Sequence, residues 1–235
     1  GEIMEKKASY YGMVELIDHQ IGRLIDLLDE LEIRENTLVI FHSDHGEMLG
    51  DHGLLLKGAR FYEGAVNVPL IFSLPGTIRQ GYVHQGLAAL VDLYPTLEDL
   101  INEPKHNEEK HTHADAEVMQ NGQPAVDISK SDRYAGFPGA SLMPLLTGES
   151  EAAVRDYVWS EYWNSLHMEL SPTVSKASFH STYATMYRTT RYKVIIYHNF
   201  GLGELYDLKQ DPNEFTNRWD DPDYHRCALW LNNVE

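Results

Sequence analysis

The chain has 235 residues, 43% of them hydrophobic and 23% charged, with a formal net charge of −17. That length allows one large α/β domain or a medium domain with a small companion, and no apolar run approaches the roughly 18 residues a membrane span requires. The excess of 36 acidic over 19 basic residues excludes a general nucleic-acid binder, whose affinity comes mainly from lysine and arginine on phosphates, and the single cysteine, Cys227, excludes an internal disulfide framework.

From Ser9 to Leu31, the residues Val14, Ile17, Ile21, Leu24, Leu28 and Leu31 recur at alternating steps of three and four. This spacing predicts a helix with one apolar stripe. A coiled coil has the same period, but the run is short and leads at once into a strand, which favours a helix packed on a sheet. Glu35-Asn36 then turns the chain into an apolar run at Thr37–Phe41, and a second run spans Val68–Leu74. Both are expected to be buried strands of a mixed or parallel sheet, joined by a long loop rich in glycine, histidine and charge. A short strand is expected around Val83–Ala89, followed by a helix over Leu93–Ile101 capped by Asp92, with Pro95 tolerated in its first turn.

Residues 102–136 lose apolar content and are expected to form a polar surface excursion; His106, His111 and His113 fall in it without a rigid scaffold, so solvated side chains are favoured over a metal site. Beyond Ser141–Gly148 the period changes to two. Tyr157–Trp163, Tyr183–Thr189, Tyr192–His198 and Glu204–Leu208 are expected to be four strands of a small antiparallel sheet. The domain boundary is placed accordingly: an α/β part over 1–150 and a β subdomain over 151–235.

The chemistry concentrates directly after the first strand, in Ser43-Asp44-His45-Gly46-Glu47, then Gly50-Asp51-His52-Gly53 and Lys57-Gly58. Ligands collect outside the carboxyl ends of strands in open α/β sheets, which is where Asp44 and His45 stand. A carboxylate oxygen and an imidazole nitrogen suit a hard divalent cation, and Lys57 could face the same anion as that cation. Two adjacent residues rarely complete a site, so further ligands are required. Asp51 and His52 could brace the loop as outer-shell groups or simply make a turn, and Glu47 is favoured as structural rather than a general base. His180 and His198, with Trp163 and Tyr187, could line a substrate cleft, although an aromatic core with satisfied histidines is favoured.

Joined to Phe61-Tyr62-Glu63-Gly64 ahead of Val68-Pro69-Leu70, and to the closing Leu205-Tyr206-Asp207-Leu208 and Asp211-Pro212-Asn213-Glu214, this string resembles the sulfatase family of the alkaline phosphatase superfamily. The resemblance implies an alkaline-phosphatase-like mixed sheet sandwiched by helices, plus a small C-terminal antiparallel sheet. It implies a divalent metal at Asp44 and His45, calcium ahead of magnesium, and Lys57 on an oxygen of a sulfate-ester substrate. The family's formylglycine motif, Cys or Ser-x-Pro-x-Arg, does not occur in this sequence; Cys227 stands in His225-Arg226-Cys227-Ala228-Leu229. The resemblance therefore implies the C-terminal half of a sulfatase, inactive alone, whose formylglycine and remaining ligands come from an N-terminal segment of the same protein. A phosphonate or phosphodiester hydrolase of the same superfamily, or a noncatalytic sulfatase-derived module, is the alternative.

Overall fold

The computed structural model describes residues 1–58, 60–102, 119–120, 123–124, 138–163, 183–198 and 200–224. The three histidines of the polar excursion, His180 and Cys227 lie outside the described residues. The chain divides into two units, one of Gly1–Leu87 with Arg155–Glu235 and one of Ala88–Val154.

The first unit opens with α1 (Glu2–Glu30). Glu2 and Glu5 in the first turn complement the positive end of the helix dipole, and Lys6 pairs with Glu2 at 2.8 Å. Glu32, held at φ 55, ends the helix by taking the chain out of right-handed geometry. The stripe predicted from the spacing is present, but no residue of α1 is buried: Val14, Ile17 and Leu24, and Leu31 just past the helix end, face solvent rather than a sheet. A turn at Arg34–Asn36 leads into β1 (Val39–His42), which pairs with β2 (Leu70–Ser73). The pairing is antiparallel, Val39 opposite Ser73 and His42 opposite Leu70, and both strands are partly exposed rather than buried. The connection explains the direction: it contains a 3-10 turn at Asp51–Gly53 and the single turn α2 (Glu63–Val66), not a full crossover helix, so the chain returns alongside itself. No strand forms over Val83–Ala89, which bends at Gly86 and pairs with no strand among the described residues.

The same unit contains the four-stranded sheet in simple meander order, β5 (Tyr157–Trp163), β6 (Tyr183–Thr189), β7 (Tyr192–Tyr197) and β8 (Leu202–Asp207). Alternation sorts its two faces. On one face Ala184, Met186, Ile195 and Tyr206 pack on Phe61 to form the core, with Tyr62, Val66, Tyr162, Tyr197 and Leu208 around them. On the other, Trp219 lies flat over Gly203, where any Cβ would meet its ring, and the Asn217 side chain accepts the Leu205 amide at 3.0 Å. Further along that face, Tyr157, Trp159 and Trp163 of β5 are exposed, so Trp163 is not the core side chain favoured for it.

The second unit holds α3 (Leu93–Asn102), the two-residue strands β3 (Met119–Gln120) and β4 (Gln123–Pro124), and α4 (Met143–Thr147). Helical geometry begins earlier than expected, in a 3-10 turn at Leu90–Asp92, so Asp92 is not the cap of the following helix. Its buried carboxylate instead accepts the amides of Ala89 and Ala140, each at 2.8 Å. Thr96 continues the link: its hydroxyl donates to the Asp92 carbonyl at 2.6 Å and accepts the Leu142 amide at 2.9 Å.

Candidate active site

Asp44 and His45 follow β1 after a single intervening residue. The Ser43 hydroxyl donates to the His45 carbonyl at 2.7 Å, and the Asp44 Oδ1 accepts the His45 amide at 2.9 Å. That amide holds the Asp44 carboxyl below its ordinary value, and the Lys57 charge adds a smaller pull in the same direction. His45 Nδ1 lies 2.9 Å from the Gly46 carbonyl. A carbonyl only accepts, so Nδ1 is the nitrogen that donates there, which leaves Nε2 as the one available to a ligand. Nε2 stands 3.6 Å from Asp44 Oδ2, and the Asp44 side chain is 83% exposed.

These two atoms are suitable ligands for one hard cation, since bonds of roughly 2.3 Å could span their separation. They are not a complete site. Among the described residues no group of three or more His, Cys, Asp or Glu side chains is arranged to hold a metal ion. Lys57 is exposed in the same loop, near enough for its charge to be felt at Asp44.

The loop is shaped by contacts that the sequence only hinted at. Gly46 and Glu47 donate their amides to the Ala65 and Gly64 carbonyls of α2 at 2.8 and 3.0 Å. A Cβ on Gly46 would run into the Gly64 carbonyl, so glycine is required by close approach of the two backbones. The Glu47 carboxylate accepts the amides of Leu49 and Leu56, the structural role favoured for it.

Asp51 and His52 stand apart from the Asp44-His45 pair in their surroundings. His52, at φ 52, stacks on Tyr62 with ring centres 3.9 Å apart. Both residues line a cleft of about 270 Å³ together with Glu63, Pro212, Glu214 and Phe215, which includes neither Asp44, His45 nor Lys57. His198 takes part in the exposed sheet face: its Nε2 lies 2.8 Å from the Thr185 hydroxyl and its ring stacks on Tyr183 at 4.1 Å.

The group that sequence reasoning missed is a buried ring of charge. Lys193 Nζ, with no exposed side-chain surface, meets Glu63 Oε1 and Glu214 Oε1 at 2.6 Å each and donates to the Phe61 carbonyl at 2.8 Å. Arg188 adds two bonds to Glu63, at 2.9 and 3.2 Å, and Glu214 accepts the Glu63 amide at 2.7 Å. Burial would raise the Glu63 carboxyl, but the bonds from Arg188 and Lys193 outweigh it and hold the group below its ordinary value. Burial dominates at Glu214 and pushes its carboxyl up against the pull of Lys193. The available signal was Lys193 itself, a charge at the same strand parity as the core residue Ile195.

Comparison with known proteins completes the assignment. Residues 4–103 match the family model for sulfatases, and residues 100–233 match that for the C-terminal region of N-sulphoglucosamine sulphohydrolase. The arylsulfatase of Clostridium perfringens is 30% identical over 231 residues, covering 97% of this chain and 39% of that protein. Among solved structures, the phosphonate monoester hydrolase of Agrobacterium radiobacter superposes with a TM-score of 0.70 at 28% identity, covering 95% of this chain and 39% of that one. A protein solved in complex with its substrate D-glucosamine-2-N,6-O-disulfate superposes with a TM-score of 0.65 at 26% identity, covering 93% and 37%.

The mixed α/β fold and these likenesses define a protein of the alkaline phosphatase superfamily. Within it, the chain belongs to the sulfatase family. It spans 39% and 34% of the length of the arylsulfatases of Clostridium perfringens and Gallus gallus.

Proposed function

We propose that this chain contributes one side of the active site of a sulfuric ester hydrolase, the remainder being supplied by an N-terminal segment of the same protein. The observation that carries the reading is the Asp44 Oδ2 and His45 Nε2 pair, 3.6 Å apart and open to solvent, within the stretch that matches the sulfatase family. A sulfate monoester resists attack because its negative oxygens repel a nucleophile, and its leaving oxygen gains charge as the S–O bond breaks. Fixed positive charge answers both difficulties. A divalent cation, calcium ahead of magnesium for oxygen-rich ligands, would withdraw charge from the sulfuryl oxygens when bound. Asp44 and His45 would hold it, Asp44 through its exposed carboxylate oxygen Oδ2 and His45 through Nε2, the ring nitrogen that is not turned to the Gly46 carbonyl. Lys57 would donate to an oxygen of the ester, and His198 would stand on the substrate side. The formylglycine nucleophile and further ligands belong to the segment outside this chain, so these residues alone should not turn over sulfate esters.

The TM-score of 0.70 to a phosphonate monoester hydrolase supports a second reading, hydrolysis of a phosphonate or phosphodiester by the same residues. A noncatalytic module is the third. An assay of the full-length polypeptide with an aryl sulfate and an aryl phosphonate monoester, with and without calcium, separates them. The first reading expects sulfate turnover that Asp44→Ala abolishes and Lys57→Ala lowers by about 10²-fold in kcat/KM. Faster phosphonate turnover would favour the second reading, and no turnover of either would leave the module.

A further inference from the structure

The loop that carries Asp44 and His45 is not held by β1 alone. Its next two amides, Gly46 and Glu47, are fixed to the carbonyls of Ala65 and Gly64, so the position of α2 sets the position of the loop. Four residues of helix do not hold themselves in water, because one turn fixes several dihedral angles for very few hydrogen bonds. Tyr62 and Val66 pack the turn against the core, and its first residue ties it down by polar contacts. Glu63 is tied through its amide to Glu214 and through its carboxylate to Lys193 and Arg188. The ring draws on three segments far apart in the chain: the approach to α2, strands β6 and β7, and the turn after β8, where Glu214 is kept at φ 59. As a source of stability alone it is a poor choice, since well-packed apolar residues of similar volume commonly do as well as a buried ion pair.

We infer that the Glu63–Lys193–Glu214 ring is a positioning device: by anchoring α2 it fixes, through the Gly64 and Ala65 carbonyls, the backbone that presents Asp44 and His45. Its functional meaning rests on the metal-ligand role proposed above, but the mechanical coupling does not. Lys193, Glu63 and Glu214 are therefore positioning residues, not catalytic ones.

The test is amide hydrogen exchange resolved by residue, in the protein and in Lys193→Met/Glu214→Gln. This double variant removes two charges at nearly constant volume and leaves Glu63 paired with Arg188. The Gly46 and Glu47 amides should exchange about tenfold or more faster, while amides within β6 and β7 stay within about threefold of the parent. Unchanged protection at Gly46 and Glu47 overturns the inference, and so does equal acceleration of loop and sheet, which is general destabilisation. If the double variant does not fold, Glu214→Gln alone decides, because its side-chain carbonyl can still accept the Glu63 amide: it must show the same local pattern at smaller size, and silence there overturns the inference. The two readings fail separately. Lack of ester turnover by the full-length protein removes the proposed function and leaves the exchange result standing, whereas unaltered loop exchange removes the positioning role and leaves the function standing.

Discussion

Replacing Asp92 by alanine takes away the carboxylate that accepts the Ala89 amide at the start of the helix and the Ala140 amide in the segment before α4. The carboxylate is fully buried and accepts two amides at 2.8 Å, from Ala89 and Ala140. A hydrogen bond to a charged group contributes about 1.5–3 kcal/mol, and the two orphaned donors are only partly buried, so water recovers some of the loss and the lower end applies to each. Relief of the buried charge offsets a further part, leaving a net destabilisation of about 2–3 kcal/mol. Asp92→Asn keeps one carbonyl acceptor and should fall between the parent and the alanine variant. Because all these contacts lie within Ala88–Val154, the loss should be local. Urea unfolding followed by circular dichroism measures the size, and amide exchange locates it, with α3 opening sooner and β7 unaffected. A change below about 0.5 kcal/mol in Asp92→Ala would refute the reasoning, because two charge-assisted bonds would then be contributing nothing.

Two further expectations concern acid and base limits. Asp207 is held below its ordinary value of 3.8, chiefly by the hydrogen bond from Arg191, so its stabilising contribution is present above about that pH and is lost as pH falls through the lower folded value. The stability difference between the parent and Arg191→Gln should therefore shrink below pH 3.8, as followed by acid titration of the unfolding midpoint; a constant gap down to strong acid would exclude the pair as its source. Tyr197 is pushed up to about 12 by burial and by its bond to Glu204 at 2.8 Å, so the neutral phenol stabilises the fold up to its unfolded value of 10 and that contribution is lost between 10 and 12. In Glu204→Gln the ring resonances of Tyr197 should titrate lower, toward 10, and an unmoved midpoint would assign the whole shift to burial.

The four-stranded sheet was legible because alternation and turn residues coincide there: Tyr157–Trp163 and Tyr183–Thr189 are strands over the expected bounds. Helix α1 was legible in its stripe but not in its start, since Glu2, Glu5 and Lys6 show no apolar period and are helical through good intrinsic formers and dipole complementarity. Val83–Ala89 has strand-like composition yet no partner strand among the described residues, and pairing is not a local property. Asp44, His45 and Lys57 could be named as candidates because a loop after a strand is a local pattern. The anchoring ring could not, because Glu63 and Glu214 are 151 residues apart. The closing Asp-Pro-x-Glu string reads locally as nothing more than a proline turn.

Whether that string is needed for its turn or for its carboxylate can be decided at Glu214. The residue sits at φ 59, a left-handed conformation that costs a non-glycine residue about 1–2 kcal/mol, so a turn alone would be improved by glycine. The carboxylate pulls the other way. It pairs with the buried Lys193 ammonium and accepts the Glu63 amide, and breaking a buried pair by removing one partner costs about 3–5 kcal/mol. The difference predicts that Glu214→Gly is destabilising by about 2–3 kcal/mol in urea unfolding despite the backbone relief. A neutral or stabilised Glu214→Gly variant would reduce the signature to a turn. A loss of the expected size would mean that the backbone strain is maintained by the ion pair, and that Glu214 serves through its carboxylate, 151 residues along the sequence from the Glu63 amide it accepts.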